Sequence, residues 1–116
     1  NTTFKRSLLV ASALLAFFIM QRGWATDDVA RGEALYKQTC VACHGASGAG
    51  SLPGVPDLTK ASGSLAKPDD ALFKNIKEGF QSPGSALAMP PKGGNPALTD
   101  EDIRIVIQYM RSAFMR

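Results

Sequence analysis

The segment Cys40-Val41-Ala42-Cys43-His44 constrains this chain more than any other feature of its sequence. Cys-x-x-Cys-His is the spacing at which a protein attaches a c-type haem covalently. The two thiols lie about one helical turn apart, so each can add across one vinyl group of the same porphyrin, and the adjacent imidazole is held beneath the iron. Because the motif occurs once, we expect one haem, bound through Cys40 and Cys43 with His44 as an iron ligand.

Cys-x-x-Cys also occurs in zinc sites, in thioredoxin-like dithiols and in disulfides. A structural zinc site needs four Cys or His ligands, and this chain has only Cys40, Cys43 and His44. A thioredoxin-like dithiol needs a βαβ context, which the Gly-rich sequence after His44 does not offer. A structural disulfide between Cys40 and Cys43 remains the simple alternative for an exported protein.

The N-terminal 25 residues have the layout of a secretory signal peptide. Lys5 and Arg6 precede an apolar run at residues 8–20, and small residues flank Trp24 just before position 26. The apolar run has 13 residues, short of the ~20 that a membrane-spanning helix needs. We therefore expect residues 1–25 to be a cleaved signal peptide and residues 26–116 to form an exported, periplasmic domain. An uncleaved anchor in the inner membrane, facing the periplasm, is the alternative.

The positive charge of the chain belongs to its N-terminal segment. The chain has 13 basic and 10 acidic residues, a formal net charge of +3. Lys5, Arg6 and Arg22 lie before residue 26, whereas every acidic residue lies after it, so residues 26–116 carry ten charges of each sign. Such a balance has no basic patch of the kind that binds nucleic acid.

The remaining sequence predicts three helices separated by loops rich in Gly and Pro, with no alternating run long enough for a sheet. The first helix begins near Thr26 and runs into Cys40. The second begins at Pro68 and ends at Gly79, and the third has Thr99 as its N-cap. The pattern predicts an all-α fold. Each helix has an expected apolar face. That of the first helix is Val29, Gly32 and Tyr36, and that of the second, expected to lie against the haem, is Leu72, Phe73 and Ile76. The face of the third helix is Ile103, Val106, Ile107, Met110 and Phe114.

A second axial ligand is expected from methionine, because His44 is the only histidine. Met89, Met110 and Met115 are the candidates downstream of the motif. Met110 and Met115 lie on the amphipathic last helix, where methionine more often fills a core. Met89 is followed by Pro-Pro-Lys-Gly-Gly at residues 90–94, a strap restricted by proline before it bends at glycine. This setting predicts Met89 as the ligand.

After residue 25 the chain resembles the class I cytochromes c, and residues 88–99 are most similar to the strap of the small bacterial cytochrome c5 group. Gly32 and Tyr36 resemble the glycine and the aromatic residue of the family's N-terminal helix, which crosses the C-terminal helix at residues 107–110. The resemblance implies the cytochrome c fold, in which these two helices cross while the middle helix and the loops wrap one covalently bound haem.

The segment Gly54-Val55-Pro56-Asp57-Leu58 resembles the family's segment whose proline carbonyl accepts a hydrogen bond from the proximal histidine. The resemblance therefore implies that Pro56 is the partner of His44 Nδ1, and that Pro56 and Leu58 lie beside the haem. In the family one haem edge reaches the surface. Here the residues expected around that edge are Val41, Ala42, Ala46 and Pro90.

Coordination by histidine and methionine leaves no open position on the iron and raises its potential, so we expect a one-electron carrier and not an enzyme. Its partners would be redox proteins of a respiratory or related chain, docking transiently at the haem edge. A membrane partner is expected only if the N-terminal segment is retained. Two alternatives are an anchored subunit of a larger respiratory or photosynthetic complex, and a ligand-binding or catalytic haem protein with an open iron site.

Overall fold

The structure, a computed structural model, describes residues 26–115 and is helical. Within the described residues, helix α1 covers residues 26–39, α2 spans Val41–His44, α3 spans Asp69–Glu78 and α4 spans Asp100–Phe114. A 3-10 turn lies at Ser64–Ala66, and Pro91–Gly94 forms a tight turn whose two central residues are in the left-handed region. The three predicted helices and the all-α class are confirmed. The predicted signal peptide or anchor, residues 1–25, lies outside the described residues.

The helix ends follow from local sequence. Thr99 and Asp102 form a capping box at the start of α4: Asp102 N donates to Thr99 Oγ1 at 3.1 Å, and Thr99 N donates to Asp102 Oδ2 at 2.9 Å. Helix α3 ends at Gly79 as predicted, but it begins with Asp69, one residue later than expected. The reason is that Pro68 has an extended ψ of 152° and so stands outside the helix.

Helices α1 and α4 cross in close contact at Gly32. A Cβ at this position would lie 2.6 Å from Tyr109 Cβ and 2.9 Å from Ile105 O, so only glycine allows this approach. Arg31 reinforces the crossing through an ion pair with Asp102 at 2.6 Å. The predicted crossing of the N- and C-terminal helices is thereby confirmed.

The core lies between the crossing helices and α3. Tyr36 is 1% exposed, and its ring packs against the rings of Tyr109 and Phe114 with centroids 5.6 and 5.2 Å away. All five apolar residues expected on α4 are buried. Val29 was expected on the apolar face of the first helix, but it is 46% exposed, so that expectation is wrong. Residues 26–30 are all exposed, so the first turns of α1 project beyond the crossing.

No helix within residues 26–115 is both long enough and apolar enough to cross a membrane.

Candidate cofactor-binding site

A mostly apolar cleft with a volume of about 200 Å³ opens between the end of α1, α3, α4 and the strap that follows Phe80. Leu72 and Ile76 of α3 and Val106 and Met110 of α4 form part of its wall. Six residues predicted from the sequence to hold the cofactor also line this one cleft: Cys40, Cys43, His44, Pro56, Leu58 and Met89.

The end of α1 and the short helix α2 present the two cysteines to the cleft. Cys40 N donates to Tyr36 O at 2.8 Å, which continues α1 into the motif, and His44 N donates to Cys40 O at 2.9 Å. Both thiols are free, so the alternative disulfide is not formed. Burial, together with the nearby Cys43 thiol, raises the pKa of Cys40 to about 11.

The imidazole of His44 is partly buried, and its Nδ1 atom has no hydrogen-bond partner. Burial lowers the pKa of His44, so the ring is neutral at pH 7, as an iron-ligating imidazole must be. Buried polar atoms without a partner are rare in folded proteins, and an imidazole in this state fits a role in binding a cofactor.

The hydrogen bond expected between His44 Nδ1 and Pro56 O is not formed, which corrects that expectation. Pro56 does line the cleft, but its carbonyl lies toward the loop that precedes it, 3.7 Å from where a Cβ on Gly50 would stand. That loop is folded onto the motif instead, because Gly50 N donates to His44 O at 2.8 Å.

Met89 is held by its backbone. Its N–H donates to Phe80 O at 2.8 Å and its carbonyl accepts from Phe80 N at 3.0 Å, an isolated antiparallel bridge. Gly79, at a φ of +83°, ends α3 directly against the strap, and a Cβ there would lie 2.8 Å from Met89 O. The strap then turns through Lys92, which at +55° has the only positive φ among the non-glycine residues of the described chain.

The other two methionines differ in their settings. Met110 is 6% exposed and belongs to the core, although part of it also reaches the cleft wall. Met115 is 36% exposed and does not line the cleft. The core-filling interpretation of Met110 thus agrees with its packing.

One predicted wall residue of α3 lies elsewhere. Phe73 does not line the cleft and packs at the edge of the core, where the Arg104 guanidinium stands 4.8 Å from its ring. Leu72 and Ile76, predicted with it, do line the cleft. Positions 72 and 76 are four residues apart, whereas position 73 is rotated by about 100° from position 72 and faces α4.

Sequence reasoning missed two lysines of the wall. Among the described residues that line the wall, Lys67 and Lys92 are the charged ones and none is acidic. Lys67 Nζ stands 4.5 Å from the centre of the Phe80 ring. No sequence signal marks these lysines, because ordinary surface lysines look the same. The cleft therefore suits an apolar ligand that carries negative charge, which describes a porphyrin with its two propionates.

Comparison with known proteins agrees with this site. Residues 27–110 match the family described as cytochrome c oxidase, cbb3-type, subunit III. The chain is 35% identical over 83 residues to cytochrome c-555 of Chlorobaculum thiosulfatiphilum, covering 72% of this chain and 93% of that protein. It is 36% identical over 85 residues to cytochrome c-554(548) of Halomonas halodenitrificans, covering 73% of this chain and 95% of that protein.

A solved structure is similar as well. The crystal structure of cytochrome CL from Methylophaga aminisulfidivorans matches with a TM-score of 0.59 and 27% sequence identity. The match covers 76% of this chain and 54% of that one, so this chain spans about half the length of cytochrome CL.

An all-α fold around a cleft that carries a Cys-x-x-Cys-His motif is the architecture of a protein that binds haem covalently. With these relatives, the chain belongs to the small class I c-type cytochromes. It is an electron carrier with a covalently bound c-type haem. The free thiols, the neutral imidazole and the cationic, apolar wall all fit that group. The nearer similarity to the cytochrome c5 group stays a prediction.

Proposed function

We propose that Cys40 and Cys43 hold the haem through thioether bonds, that His44 and Met89 are its axial ligands, and that Pro56 and Leu58 contact it. One observation carries the proposal: two thiols, an imidazole and a thioether side chain line the same apolar cleft. When bound, the haem supplies a one-electron couple between ferrous and ferric iron.

The chain contributes a rigid and dry setting for that couple. The backbone bridge between Phe80 and Met89 and the tight packing at Gly79 hold the strap in place. Leu58 and Leu98, both 4% exposed, keep water from the cleft wall. A site whose ligands and solvent stay the same in both oxidation states needs little reorganisation, and this favours fast electron transfer.

With protein ligands at both axial positions, the protein is a carrier and not an enzyme. The rival function, a ligand-binding or catalytic haem protein, requires an iron position that small molecules can reach. Reduced protein that binds carbon monoxide readily would support the rival, and reduced protein that does not bind it would exclude it.

Redox partner proteins would dock at the mouth of the cleft. Three large apolar side chains of its wall stand exposed there: Leu52 is 46% exposed, Leu87 is 44% exposed and Phe80 is 38% exposed. Of the residues expected around the haem edge, Ala42, Ala46 and Pro90 are exposed and Val41 is partly buried. Exposed apolar side chains beside the cleft suit transient contact with successive donors and acceptors.

For its location we propose the periplasm, reached through the signal peptide of residues 1–25. A second candidate is a fixed subunit of a respiratory complex, which the family match named for subunit III of cbb3-type oxidase favours. The free carrier is preferred because the similarity extends over 93% and 95% of two small cytochromes. A mature N-terminus at Thr26 in the soluble fraction would support the carrier, whereas recovery in salt-washed membranes would support the subunit.

The visible spectrum of the oxidised and reduced holoprotein tests the ligands. We expect a low-spin spectrum with the weak red band of sulfur-to-ferric charge transfer. Met89→Ala should lose this band and lower the potential while the haem stays attached. Met110→Leu is the matched control, because Met110 also reaches the cleft and leucine preserves its volume. A band that survives in Met89→Ala and disappears in Met110→Leu would reverse the assignment.

A further inference from the structure

A hydrogen bond joins the haem-attachment segment to the methionine strap. Asn95 Nδ2 donates to Thr39 Oγ1 at 3.2 Å, across 56 residues of sequence and in a partly buried setting. Thr39 is the last residue of α1 and immediately precedes Cys40. Asn95 follows the Pro91–Gly94 turn of the strap that begins at Met89. The bond therefore connects the two segments that would carry the covalent attachment and the sixth ligand.

The surrounding contacts fix the geometry of this bond. Asn95 Oδ1 accepts from Ala97 N at 3.1 Å, which orients the amide so that its NH2 group faces Thr39. The Thr39 methyl group packs against Gly93, where a Cβ would lie 3.0 Å from Thr39 Cγ2. Thr39 and Gly93 both line the cleft.

The turn that this contact supports is strained. Lys92 and Gly93 have φ values of +55° and +62°, and a non-glycine residue in this region costs free energy that neighbouring contacts must offset. The Phe80–Met89 bridge holds the start of the strap, and beyond the turn the Thr39–Asn95 bond ties it to α1.

We propose that Thr39 is a positioning residue, whose hydroxyl holds the strap through Asn95 so that Met89 stays on the iron. This inference rests on the proposed ligation by His44 and Met89. An external ligand that competes for the sixth position must displace Met89, so its apparent affinity reports how strongly the strap keeps the sulfur in place.

The test is a titration of the oxidised, full-chain holoprotein with imidazole. Binding is measured as the loss of the red sulfur band. Thr39→Val keeps the shape and the methyl contact with Gly93 and replaces the hydroxyl, the acceptor of this bond, with a methyl group. We expect the apparent Kd of imidazole to fall about three- to tenfold, the factor that one ordinary hydrogen bond provides. Thr39→Ser, which keeps the hydroxyl, should restore the parent Kd.

Thr59→Val is the matched control. The Thr59 hydroxyl also donates a hydrogen bond, to Asp57 Oδ1 at 2.6 Å, but Thr59 lies in an exposed loop and does not line the cleft. Its imidazole Kd should equal that of the parent protein. If Thr39→Val gives no holoprotein, Asn95→Ala breaks the same bond from the other side and should lower the Kd by the same factor. If both single variants give holoprotein, combining them should change the Kd no further than either does alone.

An unchanged Kd in Thr39→Val would overturn the proposal, even if the melting temperature falls, since that is the result of a merely structural role. A Kd that Thr39→Ser fails to restore would also overturn it, because the methyl contact and not the hydroxyl would then be responsible. Parent protein without the red band would instead refute the His44/Met89 ligation itself, so the two failures are distinguishable.

Discussion

Replacing Gly32 with alanine tests the close crossing of α1 and α4. The new Cβ would lie 2.6 Å from Tyr109 Cβ, and ordinary contact begins near 3.4 Å, so the helices must separate by about 3.4 − 2.6 = 0.8 Å. Overpacking of this kind costs about 1–3 kcal/mol, and a clash with backbone and Cβ atoms belongs at the upper end. Alanine returns about 1 kcal/mol through its helix propensity. The net loss is about 2 kcal/mol.

The assay is thermal unfolding of the holoprotein, followed by circular dichroism. For a domain of this size a loss of about 2 kcal/mol lowers Tm by roughly 10 °C. The matched control is Ala34→Gly, the reverse exchange on the exposed side of the same helix, which should lower Tm by about 5 °C through propensity alone. If helix propensity alone acted and the crossing contact did not matter, Gly32→Ala would raise Tm and Ala34→Gly would lower it. A Tm that Gly32→Ala leaves unchanged or raises would refute the reasoning.

Three further perturbations test the helix caps and the strap. Thr99→Ala should cost about 1 kcal/mol in urea unfolding, because α4 loses its capping box; an unchanged midpoint would contradict this. Hydrogen bonds from Thr99, and then from Arg31, hold the pKa of Asp102 below its usual range. Their stabilisation is complete above the unfolded pKa of about 3.9 and is lost as the pH falls through the lower folded pKa. Asp102→Asn should therefore lower Tm at pH 7 and flatten the decline of Tm below about pH 4. A Tm that falls as steeply with pH in the variant as in the parent protein would count against this. Gly79→Ala should weaken the red sulfur band, because its Cβ would lie 2.8 Å from Met89 O at a φ of +83°; an intact band would show that the strap tolerates the shift.

Short-range sequence patterns predicted the helix ends and the apolar stripe of α4. Capping at Thr99, the stop at Gly79 and the apolar stripe of α4 each depend on residues within a few positions of one another, and all three appear as predicted. The errors arose where a face needs a distant partner. Val29 has the spacing of a buried residue, but no other element within residues 26–115 covers the first turns of α1.

The site shows the same division. The motif and the proline-rich strap mark Cys40, Cys43, His44 and Met89 by residue type and spacing, and all four line the cleft. The side predicted for Phe73 is wrong, and the expected bond from His44 to Pro56 is absent, because both depend on side-chain direction after packing. No sequence signal places Lys67 or Lys92 in the wall.

By itself, then, the sequence determined the covalent cofactor, the helical class and the identity of the candidate ligands, because these depend on chemistry and periodicity within short segments. Only the tertiary structure decided which surfaces meet. The Thr39–Asn95 bond spans 56 residues, and Arg111 Nη2 donates to Lys67 O across 44 residues. Such contacts depend on how α1 and α4 cross and where the loops then lie, and no local pattern encodes the distance between two segments far apart in the chain.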